Sequence, residues 1–411
     1  MPTTRTELLD ILRNGENSAV EFKRDDITIE QLAKELVAFS NFDGGMVLLG
    51  VEDDGNVSGI TRTHPKLEEW VMTSCRDKIR PAIIPFYEVL RDVVEPGKDV
   101  AVVRVPAGFN VQSVWHNSRH IYYIRVGTQS REPTPEELSR LFQQRGTFRA
   151  ELRPVSGATF NDLDLRRLKD YFGRVRKQDD MPGDDDLAGW QALLLNTELM
   201  AEDGITLSAV LLFGRNPNRF LPQAGIDAAA FPGTEKDYAA VERIKLRGPL
   251  TPLMNEQAEL VETGLVEQAF DFVRRNTGTT ATLEDGVRRK ERPAYPPEAI
   301  REVMVNALIH RDYLLAATDI ELSVYSDRVE VISPGRLPNG ITTTRMRAGC
   351  RAARNQLLKD IMRDYGYLEH MGLGVPRKIV KCMLENNGTD PVLLEEDERF
   401  TVRLLAGTAR D

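Results

Sequence analysis

Apolar residues recur at helical spacing from Ile29 to Phe39 and stop at Asp43-Gly44-Gly45, which reads as a helix closed by a glycine turn. Met46 to Gly50 is an unbroken apolar run of strand length, and Asp53-Asp54-Gly55-Asn56 is a turn leading to a short strand over Val57 to Ile60. Helical spacing returns over Lys66 to Ile79, and Val100 to Val105 and His120 to Val126 read as strands. In Thr134-Pro135-Glu136-Glu137 a capping hydroxyl, a proline in the first turn and a glutamate three residues on open a helix to about Gln144. This mixture of helices and strands predicts an α+β module over 1–149.

The pattern changes after Arg149. Asp162 to Val175 and Leu187 to Met200 have helical spacing and flank an acidic, turn-rich stretch, Gln178 to Asp186. Leu207 to Phe213 and Gly225 to Phe231 are strand-like, and Leu250 to Arg275 reads as one long amphipathic helical stretch. No catalytic constellation is visible there, so 150–290 is expected to be a connecting or dimerising α/β region. Tyr295-Pro296-Pro297 opens a last module, 291–411, with a helix over Glu298 to Tyr313 and strands at Ile320 to Tyr325 and Arg328 to Ile332. A loop from Ser333 to Gly340, a helix from Asn355 to Tyr365, a stretch from Met371 to Leu384 and a strand from Phe400 to Leu405 complete it.

A chain of 411 residues exceeds what one core supports, in keeping with several modules. The net charge of -9 argues against nucleic-acid binding through bulk electrostatics, so any such contact needs a local basic patch. Cys75, Cys350 and Cys382 lie far apart with no CxxC pair, which suits a reducing compartment and offers no zinc framework. His116 and His120 flank Asn117-Ser118 and read as the two sides of a hairpin, not as a helical metal pair. Met1 to Leu12 carries Glu7 and Asp10 and no long apolar stretch, and no apolar run is long enough to span a bilayer. A cytoplasmic protein without a membrane partner is expected.

Candidate chemistry lies near both ends. Glu302, Asn306 and His310 recur at four-residue steps and share one stripe of their helix, with Ile300, Val303 and Ala307 toward the core. A carboxylate one turn before an asparagine suits nucleotide hydrolysis: Glu302 can take a proton from water, and the Asn306 amide oxygen can ligate Mg²⁺. Glu302-Val303-Met304-Val305-Asn306-Ala307 resembles the N-box of the GHKL ATPases. The string continuing through His310-Arg311-Asp312-Tyr313 resembles the divergent branch found in bacterial transcriptional regulators formerly called RecG-like helicases. Ser333-Pro334-Gly335, Arg354-Asn355 and Gly372-Leu373-Gly374 follow in that branch's order.

The resemblance implies a C-terminal GHKL α/β sandwich. It also implies an ATP and Mg²⁺ site built from Asn306, His310, Ser333, Gly335, Arg354, Asn355, Gly372 and Gly374, with Glu302 as the base. A lid over Thr342 to Arg354 would bring Arg345, Arg347 and Arg351 to the phosphates. Ser333 stands where the family carries an adenine-reading aspartate, which puts base preference in question.

Glu16 through Lys23, Phe39 through Gly45, Leu49 through Gly55 and Ile121 through Gly127 resemble the Schlafen core, an Alba-type α+β domain. In nuclease members two glutamates and an aspartate hold a divalent metal. They fall here on Glu16, Glu21 and Asp53, with Glu52 or Asp54 as substitutes for the last, and would use Mg²⁺ or Mn²⁺. The same glutamates could instead pair with Lys23, Arg24 or Arg125. Direct contact with DNA or RNA is expected from Arg119, Tyr123, Arg125 and Arg131, beside Trp115, His120 and Tyr122.

Three readings follow: an ATP-responsive nucleic-acid-binding regulator, an ATP-gated metal-dependent nuclease, or an ATP-binding interaction protein. The chain shows a single Schlafen-like segment where nuclease members pair two lobes, so a homodimer is expected to supply the second. With no winged-helix extension expected beyond Leu405, nucleic-acid contact is expected from the N-terminal module.

Overall fold

Threonine caps begin the helices of the N-terminal unit. The computed structural model describes residues 3–108, 110–145, 148–284, 288–316, 318–338, 341–350, 352–368 and 374–407 and divides into two units, Met1–Phe148 and Arg149–Asp411. The first runs α1 (Arg5–Asn14), β1 (Val20–Lys23), α2 (Ile29–Asn41), β2 (Gly44–Leu49), α3 (His64–Lys78), β3 (Ile79–Arg80), β4 (Phe86–Leu90), β5 (Val100–Pro106), β6 (Ser113–His116), β7 (Arg119–Ile121), β8 (Ile124–Val126), β9 (Gln129–Arg131) and α4 (Pro135–Gln144). Thr4, Thr28 and Thr134 each accept from the third backbone amide of the following helix, and Glu7, Gln31 and Glu137 reach back to the cap. Each such cap contributes about 1 kcal/mol.

β1 and β2 pair in parallel across α2, and the sheet continues antiparallel in the order β1-β2-β5-β4. Alternation along the strands splits the core. Val47, Leu49 and Val103 pack with Leu32 and Leu36 of α2 and Val71 of α3, while Leu48 and Val102 pack with Phe22 and with Leu8 of α1. The run from His120 to Val126 is two short strands, not one. It breaks where the Asn41 side-chain amide donates to Tyr123 O at 2.9 Å. Asn117 and Ser118, both at positive φ, turn β6 into β7, so His116 and His120 do flank a hairpin.

The second unit runs α5 (Leu165–Lys169), continued by a π turn over Asp170–Val175, α6 (Leu187–Asn196), β10 (Met200–Ala201), β11 (Gly204–Ile205), α7 (Leu207–Phe213), α8 (Pro217–Phe220), β12 (Gly225–Ala230), β13 (Glu242–Arg247), β14 (Leu253–Met254), β15 (Leu260–Glu262) and α9 (Leu265–Asn276). It continues with β16 (Thr279–Glu284), β17 (Arg288–Pro293), α10 (Pro297–His310), β18 (Ile320–Val324), β19 (Arg328–Pro334), α11 (Thr343–Arg347) and α12 (Gln356–Asp364). A π-helical stretch, Gly374–Lys381, then leads to α13 (Cys382–Asn387), β20 (Val392–Glu396) and β21 (Arg399–Leu405).

Two expectations change here. Leu207–Phe213 is a helix, not a strand: it is buried on every side, which erases the helical period, and Thr206 caps it. Leu250 to Arg275 is a β14–β15 hairpin followed by α9. Asn255 Oδ1 closes the hairpin turn by accepting from the Gln257 and Glu259 amides, and the helix starts only after Gly264.

The division expected near 290 also dissolves. One six-stranded sheet, β13-β12-β18-β19-β21-β20, carries strands from both segments, with β12 parallel to β18, and one core runs from Leu163 to Leu404. The β12–β13 ribbon alone would leave an open edge and an uncovered face. Pairing with β18 closes the edge, and α9 and α10 pack against each other and the sheet.

Candidate functional site

Helix α10 carries Glu302, Asn306 and His310 on successive turns, and all three line one pocket. Ser333 of β19, Gly335 and Arg336 behind it, Lys359 of α12 and Gly374 line it too, with apolar wall from Val331, Met346 and Val375. Glu302 is buried, and Asn306 Nδ2 donates to its Oε1 at 3.0 Å. A carboxylate only accepts, so the amide nitrogen must face it, which leaves Asn306 Oδ1 for a ligand. Gly374 makes this packing possible, since a Cβ there would stand 1.9 Å from Glu302 Oε1.

His310 is neutral. Burial, reinforced by the charges of Arg354 and Lys359, pushes its imidazole down to about 3, and Nδ1 is buried without a hydrogen-bond partner. Ser333 Oγ donates to Ala307 O at 2.9 Å, so its proton is spent and its lone pairs remain to accept from an amine. Gly335 sits at a φ of +112°, where a side chain is strained, and a Cβ would meet Asp312 Cβ at 2.7 Å.

Arg354 and Asn355 have a different place from the one the resemblance implies. Arg354 is buried against Asp312 at 2.8 Å and also donates to Arg336 O. Asn355 Nδ2 donates to Ile309 O at 2.8 Å and Arg311 O at 2.9 Å, satisfying carbonyls at the end of α10. Asn355 holds the end of the helix that carries the site, Arg354 holds the turn after it, and neither lines the pocket. Gly372 and Arg351 lie outside the described residues, and Arg347 is tied to Asp390 at 2.8 Å. Lys359 was not foreseen. It reaches the pocket from α12, and no local pattern distinguishes it from any other helix lysine.

In the N-terminal unit the three expected carboxylates converge, but on a lysine. Lys23 Nζ lies 2.6 Å from Glu21 Oε1, 3.8 Å from Asp53 Oδ1 and 3.9 Å from Glu16 Oε1. Glu16 also accepts from the Phe22 amide at 2.8 Å. Burial holds its carboxyl above the usual range, and repulsion from Glu21 adds to this. Glu52 lies 4.0 Å from Arg24, and Asp54 accepts from Asn56, so neither replaces Asp53 in the cluster. The ammonium fills the point a cation would take. Among the described residues no three carboxylates, imidazoles or thiols are arranged to hold a metal, so this arrangement does not fit Mg²⁺ or Mn²⁺.

The expected nucleic-acid residues separate. Arg125 is buried, 2.7 Å from Glu21 and 3.4 Å from Glu35, with its guanidinium 4.7 Å over the Phe39 ring, so it is spent inside the fold. Arg131 makes two bonds to Glu137, at 2.7 and 2.8 Å, and with the Thr134 amide pulls that carboxyl down to about 2. Tyr123 packs partly into the core. Arg119 is exposed on the β6–β7 hairpin with Trp115 and His120, whose rings meet edge to face at 4.8 Å, and His120 stacks on Tyr122 at 6.5 Å.

Residues 16–134 match the family described as "Schlafen, AlbA_2", and residues 317–404 match the one described as "Putative ATP-dependent DNA helicase recG C-terminal". Among solved structures, the DIP2311 protein from Corynebacterium diphtheriae is similar over 98% of this chain and 81% of its own, at 23% identity and a TM-score of 0.44. No curated protein matches the chain.

Proposed function

We propose that this chain, which joins a Schlafen AlbA_2 domain to an ATPase-like domain, is an ATP-responsive regulator that binds nucleic acid. The nucleotide half rests on the Glu302–Asn306 pair, whose geometry leaves one amide oxygen free beside a buried carboxylate. The pocket suits a magnesium–adenine nucleotide. Asn306 Oδ1 is a hard oxygen donor for the metal, Lys359 and Arg336 supply positive charge, and Ser333 Oγ can accept from an exocyclic amine. Bound there, Mg²⁺ would neutralise phosphate charge, while Glu302 holds the Asn306 amide and is placed to accept a proton from water.

Calorimetric titration of the full chain with Mg-ATP should show binding that EDTA weakens. Absence of heat at millimolar nucleotide overturns the assignment.

Nucleic-acid contact is assigned to the β6–β7 hairpin, where Trp115 and His120 can stack on bases and Arg119 can meet a phosphate. Labelled single-stranded RNA and DNA should be retarded by the protein, more strongly with a non-hydrolysable ATP analogue, and the mass in solution should be that of a dimer. Failure to retard either polymer at low salt leaves only the ATP-binding interaction protein. The nuclease reading has the convergence of Glu16, Glu21 and Asp53 in its favour. With Lys23 at their centre, no hydrolytic step is derived for it.

A further inference from the structure

The second unit holds another cavity, of about 470 Å³, between the β14–β15 hairpin, the π turn after α5, and α9, α10 and the end of α12. That size lies within the range of small-molecule sites. One of its polar groups is left over. The Arg301 guanidinium makes no hydrogen bond or ion pair among the described residues, and its Nε is buried. Tyr365 Oη is also buried, beside the Thr251 hydroxyl, which donates to Leu212 O at 2.6 Å and keeps lone pairs that can accept from the phenol. Leaving a buried donor unmade costs about 1–3 kcal/mol, so the unpaired Arg301 guanidinium on the cavity wall calls for a partner.

The other lining groups are already engaged. Arg174 is paired with Asp170, Asp364 accepts from Tyr171 Oη at 2.8 Å, and Glu267 accepts from Tyr367 Oη. Burial keeps the Tyr365 phenol protonated and therefore a donor. Its ring continues a stack with Tyr171, at 5.6 Å and 20° between planes, and Pro252 and Met254 add apolar wall.

We propose that this cavity is a second ligand site, separate from the nucleotide pocket, that takes a small aromatic mono-anion such as an aryl carboxylate. Arg301 receives the carboxylate in a two-point contact, and the tyrosine rings and Pro252 hold the flat body. Glu267 and Asp364, which also line the cavity, add negative charge that disfavours a more highly charged ligand. Arg301 directly precedes Glu302 on α10, and Leu368, next to Tyr367, lines the nucleotide pocket, so the two sites share walls.

The test titrates the full chain with benzoate, phenol and phenyl phosphate by calorimetry, alone and with Mg-ATP. Benzoate should bind with a dissociation constant on the order of millimolar, and phenol and phenyl phosphate at least about tenfold more weakly. Arg301→Gln should abolish benzoate binding, and Tyr365→Phe, which keeps the ring, should bind it nearly as the wild type does. Mg-ATP heats in both variants report whether the unit is folded and whether the nucleotide pocket stands independently. No benzoate binding to the wild type, tighter binding of phenyl phosphate, or wild-type benzoate affinity in a folded Arg301→Gln protein would overturn the assignment.

Discussion

The acidic cluster of the N-terminal unit and the pocket under α10 use similar residues to opposite ends. Around Glu21 the charges are answered from within, by Lys23 at 2.6 Å and Arg125 at 2.7 Å, with Glu35 completing the set. Under α10 the groups are positioned but left over: an amide oxygen, an unpartnered imidazole nitrogen and a serine whose proton is already spent. Carboxylates that close on their own cations hold a fold together, whereas polar atoms oriented by neighbours and then left free await a ligand.

The largest effect expected from this contrast is on stability. Glu21→Ala strips the buried Arg125 of its closest carboxylate, and breaking such a pair typically costs about 3–5 kcal/mol. Calorimetric unfolding should show it, and a loss below about 1 kcal/mol would mean that the cluster is not structural.

Asn306→Ala should behave in reverse. We expect Mg-dependent nucleotide affinity to fall at least about tenfold through loss of the amide oxygen, and the stability lost with the Nδ2 bond to Glu302 to be smaller than for Glu21→Ala. Gly374→Ala drives a methyl into Glu302 and should cost about 1–3 kcal/mol of overpacking along with the same binding. If both variants bind as the wild type does, the pocket is not the nucleotide site.

A third effect is in pH. His310 is held neutral down to about 3 in the folded protein, whereas an ordinary histidine titrates near 6.5. Between those values the unfolded chain binds the extra proton, so the second unit loses stability as pH falls through this window and keeps it above. His310→Gln should flatten that part of the acid limb in melting curves collected from pH 7 to pH 4, and an unchanged limb would show that the imidazole is not shielded.

The smallest effect tests the hairpin. Arg119→Ala should leave stability unchanged and weaken nucleic-acid binding about equally across sequences, lowering the salt slope by about 1. Affinity independent of Arg119 would move the contact elsewhere.

Much of this was legible along the chain, because capping, turn and periodicity rules act over a few residues. Thr134 with Glu137, the Asn117-Ser118 turn and the Glu302–Asn306–His310 stripe are local patterns and stand as expected. The Schlafen and ATPase-like segments could be told apart by their motifs for the same reason. Burial blurred the middle segment, since Leu207–Phe213 is apolar all round and shows no period that separates helix from strand.

Partnership was decided only in three dimensions. Pairing of Glu21 with Lys23, two residues on along one strand, and with Arg125 was among the alternatives open in the sequence, but only tertiary packing brought Asp53 and Arg125 to that cluster. Likewise Arg354 and Asn355 are spent on Asp312 and the end of α10, Lys359 enters from a separate helix, and β12 finds its parallel partner β18 beyond α9 and α10. A residue's type and period are set by its neighbours in sequence, but whether its charge is answered or left free depends on groups that only the folded chain brings within a few ångströms.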